Sequence, residues 1–538
     1  MTAPARQLDI CSRISEEPVD YFDELVQALV LGEVSSRDDM LKMKAKLCKK
    51  HHMARVPANH EVLERVPEEY REIVEPFLKN KPIRTMSGVA PVAVMTSPYD
   101  CPHGKCTYCP GGTSTNTPQS YTGQEPAALR ASMYEYDPYR QTRSRLNQLH
   151  AIGHRTDKVE LIIMGGTFTS RPEDYQDWFV KRCFDGMNGT VSENLESAQV
   201  ENETAASRCV GMTVETRPDW FGNHQVDHSL LLGATKVELG VQILNDEILD
   251  GVRRGHHVKE VVESTRRAKD AGMKVAYHMM PGLPGSDRTK DLDSFRMMVD
   301  DPRFRPDMLK IYPTLVVKGT GLYDAWSSGA YSPPTVEGIL ELLVEVKKSM
   351  PPWIRILRIQ RDIPAKLIEA GVKKSHLREL VRREMMDSGT PCRCIRCREV
   401  GHRPVGEGTV PDCSDAELNA IEYSASGGTE TFLSFDIAST DSLIGYARLR
   451  FPSNYDTQCA LVRELHVYGQ LAPLDGKVGD HWQHKGFGGK LLAECEARAE
   501  SAGFAEIRVT SGVGARDYYR RLGYELAGPY MAKRMRVH

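Results

Sequence analysis

The sequence predicts an α/β fold: a partial (βα)6 barrel, with a helical region before it and a smaller α/β domain after it. Three observations carry this. Six apolar or β-branched runs, "GVAPVAVMTS", "KVELIIMGGTF", "RCVGMTVETRP", "KVELGVQI", "KVAYHMMPGLPG" and "MLKIYPTLVV", alternate with helical segments such as "HHVKEVVESTRRAKDAG". Such runs read as parallel strands buried on both faces. A second strand and helix pattern starts near residue 415, with "TFLSFDIA", "LIGYARLRF", "ALVRELHVYG" and "AEIRVTS". Finally, 538 residues are more than one hydrophobic core organises.

Residues 1–80 read as helical. "PVDYFDELVQALVLGEV" spaces Phe22, Leu25, Val26, Leu29 and Val30 along one helix face. In "SSRDDMLKMKAKLCKKHHMARVP", Ser35 or Ser36 caps a helix whose first turn is acidic and whose remainder is basic. Its Lys42, Lys46, Lys49 and Lys50, with Lys79, Lys81 and Arg84 of "KNKPIRT", form either a solvated face or a phosphate-binding surface. Residues 81–370 hold the barrel, and chemistry in that class sits at the C-terminal ends of the strands. "ENLESAQVENETAASR" inside it reads as a polar surface insertion. Residues 371–412 form a basic linker with Lys373, Lys374 and the cysteine-rich "GTPCRCIRCREVGHRP"; residues 413–538 form the second α/β domain.

A net charge of −3, with 40% hydrophobic and 27% charged residues, carries no overall nucleic-acid signature, so basic character is read segment by segment. The N-terminal "MTAPARQLDICSRISEEPVD" has no apolar run, and no window approaches the roughly 18 apolar residues of a membrane span. A cytoplasmic protein without a membrane partner is expected. In a reducing compartment, 13 cysteines argue against a disulfide framework. The dispersed ones, Cys11, Cys48, Cys183, Cys209, Cys459 and Cys495, read as small core hydrophobes, and the clustered ones as metal ligands or catalytic groups.

Three clusters carry chemistry. Cys101, Cys106 and Cys109 in "CPHGKCTYCPGG" follow the first strand with no fourth cysteine nearby. A closed zinc site wants four ligands, with His103 in reach, whereas a four-iron cluster held by three thiolates keeps one iron open. Gly165 and Gly166 end the second strand, where bare backbone lets a ligand approach or simply makes a turn. Glu215 and Arg217 end the third strand and Gln242 the fourth, as ligand-binding groups or as salt-bridge partners. In the second domain, Gln483-x-x-Gly486-x-Gly488 opens a helix in "QHKGFGGKLLAECEARAESAGF" and reads as a pyrophosphate cradle. Cys392-x-Cys394-x2-Cys397 reads as a structural zinc site whose fourth ligand is His376, then Cys413, with His402 also weighed.

The first cysteine loop resembles that of the radical S-adenosylmethionine superfamily, with one residue more than the usual C-x3-C-x2-C. "SYTGQEPAALRA", "YDPYRQ", "ETRPDW" and "YHMMPGLPG" are similar to segments of the catalytic subunit of Elongator in its archaeal type, and the resemblance spans nearly the whole chain. It implies a [4Fe–4S] cluster on Cys101, Cys106 and Cys109, with S-adenosylmethionine on the open iron and Tyr108 near its adenine. Gly165 and Gly166 would meet the methionine amino group, and Glu215, Arg217 and Gln242 the charged and ribose groups. The C-terminal domain resembles GNAT acetyltransferases. That implies an acetyl-CoA site made by the strand residues Glu464, Leu465, His466 and Val467 and the cradle Gln483, His484, Lys485, Gly486, Phe487, Gly488 and Gly489. Tyr518 and Tyr519 of "RDYYRRLGYEL" would lie by the thioester or pantetheine arm.

The implied reaction joins an acetyl-CoA-derived carboxymethyl group to C5 of the tRNA wobble uridine, U34. The implied partner is a tRNA anticodon stem-loop met by the basic segments, and a homodimer is a further candidate. The competing readings are a protein-lysine acetyltransferase with a structural cluster and Glu464 as base, a tRNA-binding scaffold, and a methylthiotransferase. The last predicts a cysteine-rich N-terminal domain, but residues 1–80 hold only Cys11 and Cys48.

Overall fold

The computed structural model describes residues 20–34, 37–67, 70–78, 88–374, 376–400, 415–453, 459–468 and 486–535. The chain forms two compact units: Met1–Thr85 with Ser144–Thr156, and Met86–Arg143 with Asp157–His538.

In the first unit, helices α1 (Tyr21–Val30), α2 (Arg37–Lys50), α3 (Asn59–Leu63) and α4 (Arg71–Leu78) enclose Tyr21, Leu25, Leu29, Val62, Val74 and Leu78. The carboxylate of Asp20 caps α1 by accepting from the Phe22 and Asp23 N–H groups. Lys44 turns inward and donates to Asn59 Oδ1 at 2.8 Å. Lys42, Lys46, Lys49 and Lys50 stay exposed, with Lys50 spent on Glu24 at 2.7 Å. Ser35, Ser36, Lys79, Lys81 and Arg84 lie outside the described residues.

The second unit carries two large sheets. The first is parallel, in the order β1 (Ala90–Met95), β2 (Lys158–Met164), β3 (Arg208–Thr216), β4 (Lys236–Gln242), β5 (Lys274–Met279), β6 (Met308–Ile311) and then β8 (Arg355–Ile359); β7 (Val316–Val317) pairs separately with β9 (Ile368–Ala370). Every neighbour in the large sheet is next in sequence apart from the intervening β7 of that separate pair; the sheet is the curled half-barrel expected, with one strand more than the six runs predicted. The extra strand is "RILRI", whose arginines hide the pattern. Arg355 is buried against Glu399 (2.7 Å) rather than facing solvent, and only Arg358 remains exposed. The segment expected to be a surface insertion is also structural. It forms the helix Leu195–Asn202, with Ala198 fully buried, and Asn202 accepts from the Cys209 N–H at 2.7 Å to set the start of β3.

The second sheet runs β10 (Ala416–Ala425), β11 (Gly428–Ile437), β12 (Ser442–Phe451), β13 (Cys459–Val467), β14 (Glu506–Val509), β16 (Tyr530–Arg534), β15 (Glu525–Ala527). It is antiparallel except where β13 and β14 run parallel over Cys459–Val462 and Glu506–Val509, beyond which they part. Helix α5 (Phe487–Ser501) packs Leu491, Leu492 and Cys495 onto this sheet. Cys183, Cys209 and Cys495 are buried as core residues, Cys48 and Cys459 only partly, and Cys11 lies outside the described residues.

Charged side chains join the two sheets. Arg463 of β13 holds both oxygens of Asp307, at the foot of β6, at 2.6 and 2.8 Å, and Glu430 of β11 at 2.7 Å. Lys269 and Arg448 also reach Asp307, at 3.4 and 3.6 Å, and all five side chains are fully buried.

Candidate active site

The loop after β1 carries the three cysteines to the C-terminal end of the barrel. Cys106 and Cys109 are buried and Cys101 half-buried. Each thiol has a polar neighbour: Thr167 Oγ1 at 3.5 Å from Cys101 Sγ, His103 Nε2 at 3.1 Å from Cys106 Sγ, and the Ser120 N–H donating to Cys109 Sγ at 3.3 Å. Burial pushes the Cys101 and Cys109 thiols up, so they need a positive partner to ionise.

Arg254, which sequence reasoning missed, stands beside this loop. It is buried, donates to Gly240 O at 2.6 Å and points Nη1 at Cys106 Sγ, 3.7 Å away. Burial alone would lower its pKa, but Tyr108 and Cys106 outweigh that and hold it above the ordinary value. Arg217 stands beside it, clamped to Asp219 at 2.9 and 2.6 Å and to Gly255 O at 3.0 Å, with Nη1 buried and without a partner among the described residues. Among the described residues, neither ring nitrogen of His256, also buried, has a hydrogen-bond partner of good geometry. Burial and then the Arg254 and Arg217 charges pull its pKa down to about 2, so it is neutral. Buried unsatisfied groups are costly. An orphaned guanidinium NH2, two orphaned imidazole nitrogens and a third on His103 Nδ1, all around three thiols, fit an anionic, hydrogen-bonding group that completes the site.

The other expected residues fall around this centre. Gly165 has φ +133°, and a Cβ there would meet Thr96 Oγ1 at 2.1 Å, so close backbone packing alone demands glycine. Gly166 follows at φ +97°. Tyr108 packs with Cys106 and Cys109 among Ile243, Leu249 and Met280. Gln242 takes φ +73° and its carbonyl accepts from the Met280 N–H at 2.7 Å.

Glu215 accepts from Tyr121 Oη at 2.8 Å and lies 3.8 Å from Lys310. Together with Glu238 and His278 it brings three ligand-type atoms within 4.8 Å, yet Lys310 Nζ, bonded to Glu238, already supplies the positive charge there. Burial would raise the Glu238 pKa, but Lys310 and His278 outweigh it and hold it well below the usual carboxylate range. This is an ion-pair network on the inner face of β3, β4, β5 and β6.

In the second domain, Gly486 caps α5 at φ +81°, and among the described residues no side chain caps it, which makes the first-turn N–H groups available to a ligand. Among the described residues outside its own helix backbone, no heavy atom lies within 4 Å of a Cβ at Gly489, and a Cβ at Gly488 would meet Tyr518 Oη at 2.9 Å. Leu465, His466 and Val467 lie on β13 past its divergence from β14. Glu464 beside them is paired with Arg448 at 2.8 Å. Burial raises its pKa, but Arg448 and Lys274 outweigh it, so Glu464 is a held anion rather than a poised base. Tyr519 is buried against α5 with Tyr518 edge-on at 5.2 Å. Gln483, His484 and Lys485 lie outside the described residues.

The sulphurs of Cys392, Cys394 and Cys397 lie within 4.8 Å of one another. His376 is exposed at the N-cap of the helix Leu377–Asp387 and is not among the side chains gathered there; His402 and Cys413 lie outside the described residues. Lys347 Nζ sits 3.4 Å from Cys397 Sγ. Lys373 and Lys374 are exposed.

Known proteins share this arrangement. Residues 19–86 match the ELP3 N-terminal domain, 95–298 the Radical SAM superfamily, 306–387 the Radical SAM C-terminal domain and 477–535 an Acetyltransferase (GNAT) domain. A tRNA uridine(34) acetyltransferase of Methanocaldococcus jannaschii is 52% identical over 487 residues, 89% of this chain and 90% of its own. Elongator complex protein 3 of Homo sapiens is 42% identical over 529 residues, 95% of this chain and 96% of its own. The solved structure of archaeal Methanocaldococcus infernus Elp3 with an N-terminus deletion (1-46) superposes with a TM-score of 0.75 at 46% identity, covering 84% of this chain and 100% of that one.

Proposed function

The chain belongs to the family of tRNA uridine(34) acetyltransferases and Elongator complex protein 3, and from that premise we propose how its two sites serve one reaction. The protein modifies the wobble uridine of tRNA, joining a carboxymethyl group derived from acetyl-CoA to uridine C5 to give 5-carboxymethyluridine. S-adenosylmethionine cleaved at a [4Fe–4S] cluster supplies the radical chemistry that makes an unactivated methyl carbon reactive. Cys101, Cys106 and Cys109 hold that cluster, and Arg254 and the orphaned Arg217 Nη1 receive the methionine carboxylate. Neutral His256 offers a hydrogen bond without adding charge. Gly486 and the first turn of α5 hold the coenzyme A pyrophosphate, and the divergence of β13 from β14 accepts the pantetheine arm as an added strand would be accepted.

One observation carries the joint reading: the cysteine loop and the acyl cradle belong to a single compact unit, locked by the buried Asp307 network. A freely tethered acetyltransferase needs no such lock, and Glu464, its candidate base, is committed to Arg448. We further propose that Cys392, Cys394 and Cys397 hold a structural zinc, and that Lys42, Lys46, Lys49, Lys373 and Lys374 contact tRNA phosphates. No helix among the described residues is long and apolar enough to cross a membrane.

The test is anaerobic incubation of reconstituted protein with reductant, S-adenosylmethionine, acetyl-CoA and tRNA, followed by nucleoside mass spectrometry. Carboxymethyluridine at position 34 together with 5′-deoxyadenosine, both lost in Cys106→Ser, supports the reading. Deoxyadenosine without modified uridine removes the substrate; neither product, with the cluster verified, removes the radical reaction.

A further inference from the structure

One cavity at the barrel mouth has no part in the chemistry above. It lies just past the ends of β2 and β3, holds about 290 Å³ and is lined by Trp220, Gln225, Gln176, Arg171, His224 and His228 among others. It shares the reactive end of the barrel. Thr169 in its wall bonds Thr216 Oγ1 and Trp220 O, both at 2.6 Å, while Thr167, two residues earlier, touches Cys101 Sγ at 3.5 Å. Two residues of chain reach about 7 Å.

Its chemistry is flat and amide-bearing. Trp220, half-buried, is among its lining residues. Gln225 spends its amide oxygen on the Gly222 N–H at 3.1 Å, and Gln176 its amide nitrogen on Arg171 O at 2.8 Å. Among the described residues nothing engages the remaining NH2 of Gln225 or oxygen of Gln176, one donor and one acceptor. The carboxylate of Glu173 in the wall lies against His224, and Asp177 lies 3.2 Å from His228. From the cavity a cation–π layer runs towards the cysteine loop: the Arg171 guanidinium stacks at 3.7 Å over Tyr175 and 4.3 Å over Tyr99, which is 41% exposed and two residues before Cys101. Alternating aromatic and arginine surfaces are how single-stranded nucleic acid is held without base pairing. The volume is near the small end of ligand pockets, roughly 300 Å³, enough for one base and its sugar but not for acetyl-CoA.

Drawing one base into the barrel costs its neighbour a stacking partner. We propose that this cavity takes the base of the nucleotide adjacent in the strand to the uridine being modified, stacked on Trp220 and hydrogen-bonded by Gln225 and Gln176. This rests on the wobble-uridine reading.

The experiment is fluorescence anisotropy with the full chain and a labelled anticodon stem-loop, intact or with an abasic site at position 33 or 35, which needs no turnover. Trp220→Ala is expected to weaken intact stem-loop binding about tenfold, within the range for losing one stacked base. Trp220→Phe, which keeps a ring, is expected to stay within about threefold. Gln225→Glu keeps the oxygen that caps Gly222 and so guards against misfolding; it is expected to weaken binding at least about fivefold by adding negative charge. One of the two abasic loops should weaken the natural protein as Trp220→Ala does and weaken Trp220→Ala no further. Unchanged affinity in both Trp220→Ala and Gln225→Glu, or fully additive losses with both abasic loops, overturns the proposal. So does a loss of acetyl-CoA or S-adenosylmethionine binding with stem-loop binding intact, which would assign the cavity to a free nucleotide cofactor. If the natural protein prefers no anticodon loop over an unrelated hairpin, the wobble-uridine reading falls as well.

Discussion

Gly489 gives the cleanest single-residue test of the acyl cradle. It sits in the first turn of α5, in ordinary helical geometry, with no described side chain close to it. Gly489→Glu therefore introduces no clash with the described residues, and a carboxylate near a helix N-terminus stabilises the helix by about 0.3–1 kcal/mol. Calorimetry should show acetyl-CoA binding weakened roughly tenfold or more, because a like charge replaces an attraction for the pyrophosphate, with no fall in melting temperature. Arg254→Gln should raise the S-adenosylmethionine concentration needed for half-maximal deoxyadenosine formation by roughly tenfold, the loss of a charge-assisted pair, while the reconstituted protein keeps its cluster absorbance. The two residues also show what a sequence reveals. The cysteine loop and glycine cradle are legible because their ligands lie within a few positions of one another. Arg254 is not, since its meeting with Cys106 spans 148 positions and its arginine-rich surroundings look like any solvated turn. Glu464 was legible as a strand residue but not in its role, which the opposing Arg448 decides.

At the scale of elements, the parallel strands declared themselves by uninterrupted apolar runs, and the one that was missed, Arg355–Ile359, did so because its arginines find partners only in the folded chain. The polar helix Leu195–Asn202 was hidden for a similar reason: Asn202 is buried by serving backbone groups, which polarity alone does not announce. The cysteine-rich turn at 392–397 and the basic helix α2 carry two predictions. Chelation of a bound metal should lower the melting temperature, and Cys394→Ser should remove both the metal, by elemental analysis, and the response to chelator. Reversing Lys42, Lys46 and Lys49 of α2 together to Glu should weaken tRNA binding and reduce the slope of log affinity against log salt by up to roughly three units. An unchanged slope would return α2 to a solvated face.

For the whole molecule, the buried network between the sheets decides cooperativity. Asp307 faces Arg463, Lys269 and Arg448, and Asp307→Asn leaves those cations without their main counter-charge. A loss of about 3–5 kcal/mol is expected, and scanning calorimetry should show the single transition of this unit moving down or dividing in two. Burial would raise the Asp307 pKa, but Arg463, Lys269 and Arg448 outweigh it and hold it well below the ordinary value. The stabilisation from Asp307 is thus complete above about pH 4, its unfolded value, and is lost as pH falls through the depressed folded value; acid unfolding of Asp307→Asn should lack that component. None of these partners is near another in the sequence, so the lock was invisible there. The make-up of the first unit has a consequence for how the protein is made. Because Met1–Thr85 shares its compact unit with Ser144–Thr156, the full set of contacts in that unit forms only after the opening strand and cysteine loop of the next unit have been synthesised. At about 5–20 residues per second that is an interval of several seconds, during which the cysteine loop has emerged before the rest of the barrel that buries Cys106 and Cys109.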